Sequence, residues 1–188
     1  MKKALLSLFL PLALCSATAC AGVVNFDNLP ADENLPVASG YAGFDWTNIH
    51  AIASSAYPGS GYEAGTVSPG NAVFNYDGST ASISTADASA FNFVGAYFTS
   101  AWFEQELAFD GFRNGQLLYS TAVSHVIDTT TPLWVQLGWS GIDTLAIYNS
   151  SGTPWAMDNF TVPEPATMGL FGLSFAGLML ARRRRAAA

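Results

Sequence analysis

The chain has two cysteines, Cys15 and Cys20, and neither lies in residues 22–161. That stretch can therefore hold no disulfide, thiolate nucleophile or cysteine metal site. Positive charge is almost as scarce. Arg113 is its one Lys or Arg, set against thirteen Asp and Glu, which makes −12 with His50 and His125 neutral. The whole-chain value of −7 hides this, because the other six basic residues, Lys2, Lys3 and Arg182, Arg183, Arg184 and Arg185, all sit near the ends. A body this acidic repels nucleic acid and anionic membrane surfaces and invites divalent cations. Also missing are His-x-His, His-Glu-x-x-His, Gly-x-Ser-x-Gly and any glycine-rich phosphate loop leading into a helix. These absences argue against a zinc hydrolase, a nucleophile-elbow hydrolase and a nucleotide-binding enzyme. Disorder is excluded too, because half of the chain is hydrophobic and only 11% is charged.

The long apolar runs lie at the two ends. Lys2 and Lys3, the apolar run Ala4 to Leu14 and the small-x-small site Ala19-Cys20-Ala21 have the order of a secretory signal covering residues 1–21, cut by signal peptidase before Gly22. A lipoprotein signal acylated at Cys20 is the rival reading, with Ala17 as its unfavourable feature. At the other end, Val162-Pro163-Glu164-Pro165 reads as a rigid, non-helical spacer, since each proline fixes φ and removes a donor. The uncharged run Ala166 to Ala181 follows and is then stopped by Arg182, Arg183, Arg184 and Arg185. Basic residues stay on the cytoplasmic side, so the body faces outward. Such a helix holds the protein in the inner membrane until an enzyme cuts upstream of it; an uncleaved single-pass anchor is the alternative.

Val162-Pro163-Glu164-Pro165-Ala166-Thr167, the apolar stretch with Gly169, Gly172 and Gly177, and the arginine cluster resemble the PEP-CTERM sorting domain, here residues 162–188. The resemblance implies a Gram-negative protein processed by an exosortase-type enzyme. It also implies delivery to the cell surface or extracellular matrix, in association with exopolysaccharide.

The body, residues 22–161, is the length of one domain. Short runs of apolar and β-branched residues are separated by Gly, Pro, Asn, Asp and Ser at roughly 8–12-residue spacing, which predicts an all-β antiparallel sandwich. Arg113-Asn114-Gly115 predicts a hairpin between Leu107–Phe112 and Gln116–Val123. Asp77-Gly78 predicts another, between Ala72–Tyr76 and Ala81–Ser84. A jelly roll is the expected topology, because it brings both ends of the domain together. Gly43-Phe44-Asp45-Trp46, Asp110-Gly111-Phe112, Trp139-Ser140-Gly141-Ile142-Asp143 and Ala156-Met157-Asp158-Asn159 also resemble the β-sandwich ectodomains of PEP-CTERM proteins. That looser resemblance implies an architecture like carbohydrate-binding jelly rolls.

Three kinds of site are expected from these residues. If first and last strands adjoin, Asp27, Asp158 and Asn159 converge and offer oxygens to a structural Ca²⁺; the alternative is that Asp158 and Asn159 only satisfy backbone groups. Aromatic faces beside polar groups suit sugars. Trp102, in a loop with Glu104, is the expected glycan contact, whereas Trp46 and Trp134 alternate with polar residues and are expected in the core. Glu104 and Glu106 share a face if extended, the arrangement a glycoside hydrolase needs; the alternative is a solvated acidic edge that blocks strand-to-strand aggregation. The function expected from the sequence is thus a non-enzymatic structural or glycan-binding matrix component. The competing readings are a polysaccharide hydrolase and a protein-binding adhesin.

Overall fold

The computed structural model describes residues 21–30 and 34–163. The expected signal and membrane helices, with Glu164, Pro165 and the arginine cluster, lie outside the described residues. Among the described residues no helix is long and apolar enough to cross a membrane.

The best local signal behaves as read. Strand β8 (Gln105–Arg113) pairs antiparallel with β9 (Gln116–Ser120). Asn114 (φ 50°) and Gly115 (φ 73°) supply the two positive φ values of a two-residue hairpin turn. The Asp77-Gly78 expectation is corrected. Strands β5 (Asn71–Asn75) and β6 (Ala81–Thr85) are joined there but never pair. Both sides of β5 are already occupied, by β4 (Ile49–Ala53) and by β13 (Trp155–Pro163). The chain leaves β5 for the opposite sheet instead. Asp77 Oδ1 fixes this crossing by accepting from the Asn48 amide (2.7 Å) and the Ser79 N–H (2.9 Å).

Such crossings build the whole fold. The remaining strands are β1 (Ala21–Val24), β2 (Leu35–Pro36), β3 (Phe44–Thr47), β7 (Phe91–Ser100), β10 (His125–Ile127), β11 (Leu133–Ile142) and β12 (Thr144–Asn149). One sheet has the order β11-β7-β13-β5-β4-β2, with β1 also on β13. The other has the order β10-β8-β12-β6-β3, with β9 also on β8. From β5 to β8 and again from β10 to β13, successive strands alternate between sheets, a jelly-roll-like antiparallel sandwich. Strand β1 pairs with the end of β13, Ala21 opposite Pro163 and Val24 opposite Phe160, so the sandwich begins and ends side by side. Strand β13 runs to Pro163, which makes Val162 and Pro163 of the processing motif strand residues.

The core lies between the sheets. Phe160 stacks on Phe93 (4.9 Å) and meets Phe44 and Trp46 edge-on at 5.5 Å each. Trp46 is buried as expected, but Trp134 is corrected to half-buried; its ring lies over Gly95 beside Tyr97 (5.0 Å). A second, smaller cluster occupies the outer face of the seven-stranded sheet. Alternation sends Ala51, Val73, Trp155 and Met157 inward and leaves Ile52, Ala72, Phe74 and Ala156 outside. A 3-10 turn (Ser54–Ala56) and a one-turn helix, α1 (Gly61–Gly65), close over that outer face. The helix sits so close that a Cβ on Gly61 would lie 1.7 Å from the Ser100 carbonyl oxygen. On Gly65 it would lie 2.1 Å from Thr99 Oγ1. Only glycine allows this approach.

Candidate functional site

The packing of α1 creates an aromatic concavity. Ser60 caps the helix by accepting from the Tyr62 N–H (3.2 Å), and Glu63 accepts from the Gly59 N–H (2.6 Å). Tyr62 is thereby held against Phe74, ring centroids 5.3 Å apart. Trp102, in the connection from β7 to β8, stands edge-on to both Tyr57 (5.9 Å, 90°) and Tyr62 (5.6 Å, 86°). His50 on β4 stacks flat on Tyr76, 4.3 Å apart and 9° from parallel. A cleft of about 230 Å³ is lined by Asn34, Ile52, Tyr57, Tyr62, Phe74, Tyr76 and Trp102.

The cleft has an apolar floor, Ile52 and Phe74, and amphipathic walls. Tyr57, Tyr76 and Trp102 are 41%, 50% and 47% exposed, so each turns ring surface to solvent. Burial, and secondarily the neighbouring Tyr57, pushes the Tyr62 phenol up to about 12, so it stays a neutral donor and acceptor at physiological pH. Asn34, at φ 65°, places its side-chain oxygen 2.7 Å from His50 Nδ1. None of the described residues lining the cleft is charged. Rings with neutral hydrogen-bonding tips around a greasy floor suit a ligand that has both apolar faces and hydroxyls.

Trp102 is therefore where the sequence placed it, exposed and in a loop. Glu104 is exposed in the same connection but does not line the cleft, and Glu106 lies on β8. The polar groups that do line it, Asn34, Tyr57, Tyr62 and Tyr76, come from distant segments. In the sequence the tyrosines stand out only within a general wealth of aromatics, and nothing marks Asn34.

The expected calcium residues are drawn together, and the geometry explains what they do. Strand β13 changes partner at Asp158, from β5 (at Ala156 and Met157) to β1 (from Phe160). The ladder is irregular there and Asn159 sits at φ 53°. Asp158 is fully buried beneath the loop that precedes β5. Its Oδ2 accepts from the N–H groups of Val67 and Ser68 at 2.8 Å each, and Oδ1 accepts from the Asn159 N–H at 2.6 Å. Ser68 Oγ bridges the acids, 3.0 Å from Asp158 Oδ2 and 3.5 Å from Asp27 Oδ1. Asp27 also accepts from the Asn25 amide (2.7 Å). Burial raises the Asp158 carboxyl above its ordinary value, and these donors pull it back. A calcium ion would have to sit where N–H dipoles already point at the carboxylate, so the donor set does not fit one. Asn159 turns its backbone N–H, not its amide, to this purpose. Among the described residues no three acidic, histidine or cysteine side chains gather to share a metal.

Fold and cleft thus define a single β-sandwich with an open aromatic groove on the outer face of one sheet. Residues 161–185 match the PEP-CTERM protein-sorting motif, and this is an exported protein sorted to the cell surface through an exosortase-type enzyme. No curated protein matches the chain. A solved structure of the carbohydrate-binding module TmCBM61, in complex with β-1,4-galactotriose, aligns with 71% of this chain and 99% of its own. Identity is 11% and the TM-score 0.34. The fold assignment rests on the strand pairing described above.

Proposed function

We propose that this protein is a non-catalytic glycan-binding component of the material outside the cell, and that the cleft beside α1 is its binding site. The observation that carries this reading is the ring arrangement. Tyr57, Tyr62 and Trp102 stand edge to face, Tyr76 lines the same cleft backed by its stack on His50, and the space they line is about 230 Å³. Sugar rings present C–H faces that pack on aromatic surfaces and hydroxyls that exchange bonds with phenols and amides, which is what these walls offer. Hydrolysis is not favoured, because it needs two carboxyl groups flanking the scissile bond and no acid stands among the described residues of the cleft. The sorting motif supports the setting, since a protein sorted to the cell surface is on the side of the membrane where polysaccharide ligands would be found.

The test is a glycan array probed with the full-length chain in a polyoxyethylene detergent, whose head groups carry no sugar. Retention on at least one glycan, competed by the same soluble oligosaccharide, is expected. A folded protein that retains none overturns the reading.

A further inference from the structure

We infer that the cleft selects uncharged sugars and rejects uronate or sulfated polymers, an inference that rests on the glycan-binding reading above. Anionic sugars are recognised by guanidinium or ammonium groups, which meet a carboxylate or sulfate with charge-assisted hydrogen bonds. The body offers one such group, Arg113. It belongs to β8 in the opposite sheet, where its Nη1 lies 3.6 Å from Asp143 and donates to the Ala88 carbonyl oxygen (3.3 Å). The cleft is built on the outer face of the other sheet, and its described polar side chains are three phenols, one amide and one indole. An anionic ligand entering there finds no counter-charge among the described residues of the cleft.

The surrounding field acts in the same direction. One positive against thirteen negative side chains leave the body at −12. Such a field is felt over the Debye length, about 8–10 Å at physiological salt, and repels polyanions before contact. A neutral polymer feels neither penalty. Size narrows the ligand further. The cleft lies below the roughly 300–1,000 Å³ of sites that take drug-sized ligands, so it holds a chain end or one to two rings, not a long segment.

The experiment compares neutral polymers (galactan, β-glucan, glucomannan) with uronate polymers (polygalacturonate, alginate). Full-length chain in the same detergent is used at about pH 8, where ordinary histidines are neutral. Affinity is read at about 20 mM and about 500 mM salt. We expect at least one neutral polymer to bind about tenfold or more tighter than any uronate polymer at low salt. Its affinity should change less than about twofold at high salt. A uronate polymer that binds tighter at low salt and is released at high salt, in the chain and equally in a variant with Arg182, Arg183, Arg184 and Arg185 replaced by glutamine, overturns the neutral-sugar inference and leaves the glycan site standing. Failure of every polymer to bind folded protein overturns the glycan-binding reading itself, and this inference with it.

Discussion

Replacing Trp102 by alanine separates binding from folding, and its size can be worked out. A tryptophan side chain presents roughly 250 Å², and Trp102 keeps 47% of its surface exposed in the free protein. Roughly 120 Å² is thus available to a ligand. At about 25 cal/mol per Å², covering all of it is worth about 3 kcal/mol, and covering one ring face about 1.5 kcal/mol. Trp102→Ala should therefore weaken glycan binding by about tenfold to a hundredfold. The rest of the ring packs edge-on against Tyr57 and Tyr62, contacts worth about 0.5–1.5 kcal/mol each. The stability loss should stay near 1–3 kcal/mol on that scale, and the sandwich core is untouched. Calorimetric titration with an array-positive oligosaccharide, beside a melting curve, measures both. Trp134→Ala is the control, because that half-buried ring belongs to the Tyr97 pair and does not line the cleft. A folded Trp102→Ala protein that binds like the parent, or a Trp134→Ala protein that loses binding instead, refutes the assignment.

Other outcomes follow from the same geometry. Gly65→Ala places a Cβ 2.1 Å from Thr99 Oγ1, which is held by its bond to the Gly61 carbonyl (2.6 Å). It should cost about 1–3 kcal/mol and weaken glycan binding by shifting Tyr62; unchanged melting and binding would show that α1 does not seat as described. Asp158→Asn can keep an oxygen on the Val67 and Ser68 N–H groups but sets its NH2 against the Asn159 N–H, and should lose about 1–3 kcal/mol. The parent should also lose a little stability as pH rises from the ordinary carboxylate range through the raised Asp158 value, because across that window the folded state holds a proton that the unfolded chain has released. The variant should lack that slope in denaturant titrations against pH, and an identical slope would assign it to another group. EDTA should leave the melting temperature unchanged, and a fall would restore calcium at Asp27 and Asp158. Mass spectrometry of the protein from its native host should find Arg182, Arg183, Arg184 and Arg185 removed; an intact C-terminus would contradict processing.

Much of this molecule could be read along the chain, because the deciding physics is local. The tail motif, the apolar run after it and the arginine stop are contiguous, so they needed no fold to be recognised. The acidity of the body is a property of composition. Strand existence follows from period-two alternation, and the β8–β9 hairpin from two residues that tolerate positive φ. What the chain could not show is which strands share a sheet. Asp77-Gly78 has the chemistry of a hairpin turn and serves as a crossing, because the competition for the sides of β5 is won by strands far away in sequence. The surroundings of the acids expected to hold calcium were hidden for a related reason. First and last strands do adjoin and the acids do converge, but the loop that takes up Asp158 lies ninety residues earlier, at Ser68. The cleft is the most tertiary feature of all. Asn34, Ile52, Tyr57, Tyr62, Phe74, Tyr76 and Trp102 come from five separate stretches, and two glycines decide how closely α1 brings them together. Sequence alone determined that the protein is exported and that its body is acidic, because targeting and charge are written residue by residue. Only the packing of a helix on the outer face of a sheet decided where a ligand has room to bind.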